Sequence, residues 1–161
     1  MPMDLALAVF DPAARRQAHD AVMELASSAP LLVASLWSGG LRPYLTPEEW
    51  TEVWQRCGYA DYLPDERRSA DRPRTPLELY RGASTPWRYG LSWTADRDHA
   101  QRYADAKPDG LLWCARVHPF HLLAYVAAED EHVVNPAGLS EVNVWRAGDR
   151  PPPLAVSECA Q

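Results

Sequence analysis

Apolar residues recur along this chain in two rhythms, helical over the first third and two-residue over the remainder. Asp11 followed by Pro12 reads as an N-cap with proline in the first helical turn. Behind it Ala14, Ala18, Val22 and Leu25 fall near one face, which predicts a helix over 12–27, broken at Pro30. Leu31 to Trp37 is a short apolar run that fits helix or strand, and Gly39-Gly40 ends it. Thr46-Pro47-Glu48-Glu49 has the form of a capping box with proline at the first position. Trp50, Val53, Trp54 and Cys57 follow at helical spacing, a core-facing stripe, with Gly58 placed to cap the end.

Residues 59–76 are polar, charged and proline-containing, and read as a connector or surface loop. From Leu77 the rhythm changes. Leu77 to Arg81 alternates like a strand, and a Gly, Ser and Pro-rich loop leads to the short run Leu91 to Thr94. Thr94 or Asp96 can cap a helix to about Ala106, with Ala100, Tyr103 and Ala104 facing inward. Leu111–Val117, His121–Val126, His132–Val134 and Val142–Trp145 read as four further strands. There is no regular βα alternation, so the expectation is an α+β fold: two small, mostly antiparallel sheets forming a cleft, preceded by two to four helices. The expected divisions are a helical region 1–76 packed on or preceding the core, a strand-rich core 77–150, and a flexible tail 151–161 opened by three prolines.

Composition narrows the function. At 161 residues one domain is the default. The formal charge of −6 argues against a nucleic-acid-holding surface. It leaves room for a local basic pocket, and arginine, nearly the only basic residue here, suits bidentate phosphate contacts. Cys57, Cys114 and Cys159 show no metal or disulfide spacing, so a reducing compartment is expected and no metal. The first twelve residues lack the basic start of a signal peptide, and no apolar run approaches the roughly twenty residues of a membrane span. The expected location is cytoplasmic, or a target cell reached without such a signal.

Three segments carry candidate chemistry in order: Tyr80-Arg81-Gly82, then Ser92-Trp93-Thr94 with a helix behind it, then Glu129-Asp130-Glu131. Each is weak alone. Together they resemble the Arg-Ser-Glu class of ADP-ribosyltransferases, in which an aromatic-Arg-Gly strand precedes a Ser-x-Ser/Thr strand and a Glu-x-Glu element. The likeness spans about Leu79 to Pro136 and is closest to a compact bacterial or phage branch. It implies an ADP-ribosyltransferase-like fold with NAD as co-substrate in the cleft. It also implies cleavage of the nicotinamide–ribose bond and transfer of ADP-ribose to a macromolecule, most simply a protein, with arginine a candidate acceptor.

The chemistry agrees with that resemblance. Loss of nicotinamide builds positive charge on the ribose, and a fixed carboxylate stabilises it. Glu131 is the candidate, and the resemblance implies that it also holds the ribose 2′-hydroxyl. If 129–134 is extended, Glu129 shares its face and could orient or deprotonate the acceptor, one of the two close carboxylates titrating high. Arg81 can reach phosphate or ribose with its fork of donors, supported by Gly82. The resemblance implies that the Ser92 hydroxyl holds Glu131, and Thr94 supports the strand or caps the helix. Trp93 or Tyr89 could stack on nicotinamide, although a core position suits either better.

His118 and His121 lack a third ligand and read as loop and strand-edge residues; His99 is placed on the exposed side of its helix, and His132 opposite Glu131. No glycine-rich phosphate loop is present, so NAD binding would not rest on a Rossmann unit. Glu141 is a lesser rival to Glu131. Two alternatives use the same residues: an NAD glycohydrolase with water as acceptor, or an inert binding or regulatory module on the same fold.

Overall fold

The computed structural model describes residues 11–154, which form an α+β fold with four α-helices and two mostly antiparallel sheets. Expectations for the first ten residues and for the tail beyond Leu154 lie outside the described residues.

Helix α1 (Pro12–Ser28) starts where Asp11 accepts the N–H of Ala13. The ambiguous apolar run is α2 (Pro30–Ser38), a helix that Pro30 opens with the single residue Ala29 between it and α1. Helix α3 (Pro47–Cys57) has both halves of its capping box in place, and Gly58 ends it at φ 73°, a left-handed setting that favours glycine.

The expected connector is not one. It holds β1 (Ala60–Leu63) and β2 (Glu66–Ser69), an antiparallel pair. All of β2 is exposed, so its sequence carries no apolar alternation and reads as loop. The remaining elements are β3 (Leu77–Ala83), β4 (Ser92–Trp93), α4 (Arg97–Asp105), β5 (Leu111–Val117), β6 (Leu122–Val126), β7 (Glu131–Val134) and β8 (Val144–Arg146). The last strand begins two residues later than the expected Val142, because 140–143 form a turn in which Asn143 accepts the N–H of Ser140.

The large sheet runs β2-β1-β6-β7-β4 and the small one β3-β5-β8. One pairing, β1 with β6, is parallel. Because β1 is part of the large sheet, residue 76 is not a structural boundary. The three N-terminal helices cover that sheet: Trp37, Trp50, Val53 and Trp54 share a core with Tyr62, Leu123, Val126 and Val133. A second core of Leu79, Trp93, Trp113, Val117, Val134 and Val144 fills the space between the sheets.

Candidate functional site

Strand alternation decides which side chains can meet. Ser92 pairs with Val133, and Glu131 lies two residues before Val133, so Ser92 and Glu131 share the face turned to the helices. Trp93, His132 and Val134 take the other face. The Trp93 ring is 1% exposed in the second core and its indole N–H goes to the Gly90 carbonyl, so it is not free to stack on a ligand. His132 packs on Tyr125, and burial lowers its pKa.

A single isolated backbone bridge among the described residues links the small sheet to the segment that carries β4. Tyr80 and Thr94 exchange both backbone hydrogen bonds, at 2.7 and 2.9 Å, and this bridge sets Arg81 beside Ser92. The Arg81 guanidinium donates to the carbonyls of Trp87 and Ser92 at 3.0 and 2.9 Å, using two of its five N–H groups. Burial, opposed by nearby Glu131 and reinforced by Arg42, pushes its pKa down to about 10, which still leaves it cationic at neutral pH. A Cβ on Gly90 would run into this guanidinium, and one on Gly82 would meet the backbone of α4 at Ala100 and Ala104. Gly82 thus has a packing reason of its own: it lets β3 and α4 touch.

Arg81, Ser92 and Glu131 line one cavity of about 230 Å³. Tyr80, Gly82, Trp93 and Thr94 border it from the small sheet and the β4 segment, His99, Ala100 and Tyr103 from α4, and Lys107 and Glu129 complete the lining. Two expectations about α4 change here. Tyr103 faces outward, 52% exposed, and His99 is half-buried against it with the rings 5.3 Å apart. Both belong to the cavity wall. Thr94 is buried and its hydroxyl accepts the N–H of Asp96, while Asp96 caps the helix through the N–H groups of Asp98 and His99.

Glu129 does not lie on an extended strand with Glu131. It ends a short 3-10 turn (Ala127–Glu129), and Asp130 follows at φ 46°, the single non-glycine residue with positive φ among those described. Asp130 accepts a hydrogen bond from the Tyr125 hydroxyl at 2.9 Å. The chain turns there, so both glutamates line the cavity although the strand begins only at Glu131.

Glu131 is 6% exposed, and its partners are the finding that the sequence did not signal. Its Oε1 accepts from the Trp37 indole at 2.6 Å and its Oε2 from Arg42 at 3.0 Å. Arg42 also donates to the Ser92 hydroxyl at 3.4 Å. The expected Ser92–Glu131 hydrogen bond is therefore replaced by a guanidinium between the two. Trp37 was legible only as a member of an apolar run, and Arg42 sits in the unassigned stretch after Gly39-Gly40. No family model, curated protein or solved structure matches the chain.

The cavity's charge runs against that of the whole chain. Arg42, Arg81 and Lys107, the one lysine in the sequence, face two carboxylates, against a total of −6. An anion with a hydroxyl-bearing or cationic part fits such a lining. Among the described residues, no three His, Cys, Asp or Glu side chains gather as metal ligands, and no helix is long and apolar enough to cross a membrane.

Proposed function

We propose that this protein is an NAD-dependent ADP-ribosyltransferase on an ADP-ribosyltransferase-like fold, cleaving the nicotinamide–ribose bond and passing ADP-ribose to a macromolecular acceptor. The observation that carries the reading is convergence: Arg81, Ser92 and Glu131, up to fifty residues apart, line one cavity. That is the arrangement the motif order implies.

In this reading Arg81 receives the phosphates or ribose of NAD with its unused N–H groups. Nicotinamide leaves with the electron pair of the C–N bond, and the Glu131 carboxylate stabilises the positive charge that develops on the ribose. Each Glu131 oxygen has one partner, which leaves lone pairs for a ribose hydroxyl. Glu129, on the same cavity, orients or deprotonates the acceptor. Arginine side chains of proteins are the candidate acceptors. Tyr103, exposed and packed on the half-buried His99, offers an aromatic face for a ring, the part that Trp93 cannot play.

The test is incubation of the protein with labelled NAD and a cell lysate, comparing wild type with Glu131→Gln. Label transfer and nicotinamide release are expected to fall about 10²–10³-fold in the variant. Equal labelling by both would overturn the role of Glu131. Free ADP-ribose without labelled macromolecule would assign water as the acceptor, and absence of NAD binding in calorimetry at millimolar ligand would leave an inert module.

A further inference from the structure

We infer that Arg42 is a positioning residue for Glu131, and that the helical N-terminal third is therefore part of the active site. The inference rests on the reading of Glu131 given above, but it concerns residues that the motifs do not include.

Arg42 opens the 3-10 turn Arg42–Tyr44 between α2 and α3. It is held on several sides. Its Nε donates to the Trp37 carbonyl at 3.0 Å, its guanidinium lies 4.1 Å over the Trp37 ring, and its own carbonyl accepts the Trp50 indole N–H at 3.0 Å. Trp37 is in turn fixed by edge contacts with Trp50 and Trp54, at 5.0 and 5.7 Å between ring centres. The remaining arms of the guanidinium reach Glu131 and the Ser92 hydroxyl.

A carboxylate side chain has rotatable bonds, and one donor does not fix its plane. Two donors from different directions, one on each oxygen, do. The indole and the guanidinium are both rigid, planar and packed against each other, so they define the carboxylate's orientation before any ligand arrives. Arg42 thus does for Glu131 what the Ser92 hydroxyl was expected to do, and Ser92 is held by the same guanidinium. A surface ion pair would need none of this; here the Glu131 side chain is 8% exposed, and an unpaired charge at that depth is costly.

The experiment has two readouts. In nicotinamide release from NAD, Arg42→Ala is expected to lower kcat about a hundredfold with KM changed less than about threefold. Arg42→Lys, which returns a charge without the planar fork, is expected to recover only part of kcat. A raised KM with kcat preserved would make Arg42 a direct NAD ligand and overturn the positioning role. The second readout needs no catalysis. The Trp37 indole N–H signal in a proton–nitrogen spectrum, assigned by Trp37→Phe, is expected to move in both Glu131→Gln and Arg42→Ala while the other indole signals stay. An unmoved Trp37 signal in Arg42→Ala sinks the inference; Arg42→Gln, which keeps a donor on a shorter stem, serves if that variant does not fold. Should the wild type release no nicotinamide, the proposed activity fails while the indole signal still decides whether the clamp exists.

Discussion

The two cores of this protein are both built around tryptophan, yet they dispose of the indole N–H groups differently. In the core between the sheets, Trp93 and Trp113 donate to the backbone carbonyls of Gly90 and Ala83, so each ring is closed off by its own neighbourhood. In the core under the helices, Trp37 donates to Glu131 and Trp50 to the carbonyl of Arg42. A large apolar ring with one polar edge can thus be a packing residue in one core and, in the other, a donor to a carboxylate of the cavity. The difference lies in what the N–H meets, and burial alone does not reveal it.

The largest effect that can break this contrast is on stability. Trp54 is fully buried, stands edge-on to Trp37 and Tyr62, and its indole N–H has no partner, so its removal costs packing. Trp54→Ala is expected to cost about 3–5 kcal/mol in denaturant unfolding, and Trp113→Ala in the other core a similar amount. Only Trp54→Ala is expected to shift the Trp37 indole signal under conditions where both variants remain folded. A shift of equal size in Trp113→Ala would mean that the cores are not separable in this way.

The same contrast explains what the sequence could show. Local rules were enough for the capping box at Thr46 and the strand at β3; it was the motif order, through a family resemblance, that grouped Arg81, Ser92 and Glu131, which line one cavity. Local rules were not enough for β2, whose residues are all exposed and whose identity as a strand depends on pairing with β1. Nor could they place Tyr103, since the helical period positions a face and the neighbouring sheet decides how wide that face is. Arg42 was hidden for a stronger reason: its meaning comes from a residue eighty-nine positions away. The Glu129–Glu131 spacing pointed to the cavity although the backbone between them is a turn with Asp130 left-handed, so agreement in outcome came from a different geometry.

A smaller effect sharpens the comparison through the thiols. Cys57 lies in the core under the helices. Cys114 is on β5, on the face opposite Trp113, Ala115 and Val117. Burial raises both thiols from an ordinary value of 9.0 to about 11. A pKa raised by folding means that the unfolded chain gives up the proton first. The stability that this contributes is intact below about pH 9 and is lost as pH climbs through about 11. Between pH 9 and 10, unfolding free energy is expected to fall by on the order of 1–2 kcal/mol from the two thiols together. Chemical unfolding at stepped pH checks this. The slope should flatten by similar amounts in Cys57→Ala and in Cys114→Ala, and a slope untouched by either would show that the thiols are not held neutral by burial.

The smallest expected effect separates the two guanidiniums of the cavity. Arg42 is fixed by rings and acts on Glu131; Arg81 is fixed by two carbonyls and, in the proposed reading, acts on the substrate. Gly90 offers a way to disturb the second alone. Its backbone does not need a positive φ, so alanine is not strained there. The added Cβ would meet the Nη2 and Cζ of Arg81, the far end of a side chain, so the guanidinium shifts and the backbone stays. Gly90→Ala is therefore expected to lower stability modestly, by about 1 kcal/mol as the guanidinium leaves its two carbonyls, to leave kcat nearly unchanged and to raise KM for NAD about fivefold. That is the reverse of the kcat loss expected for Arg42→Ala. If Gly90→Ala lowers kcat and leaves KM alone, both arginines serve the carboxylate, and the division between a guanidinium that positions and one that binds is lost.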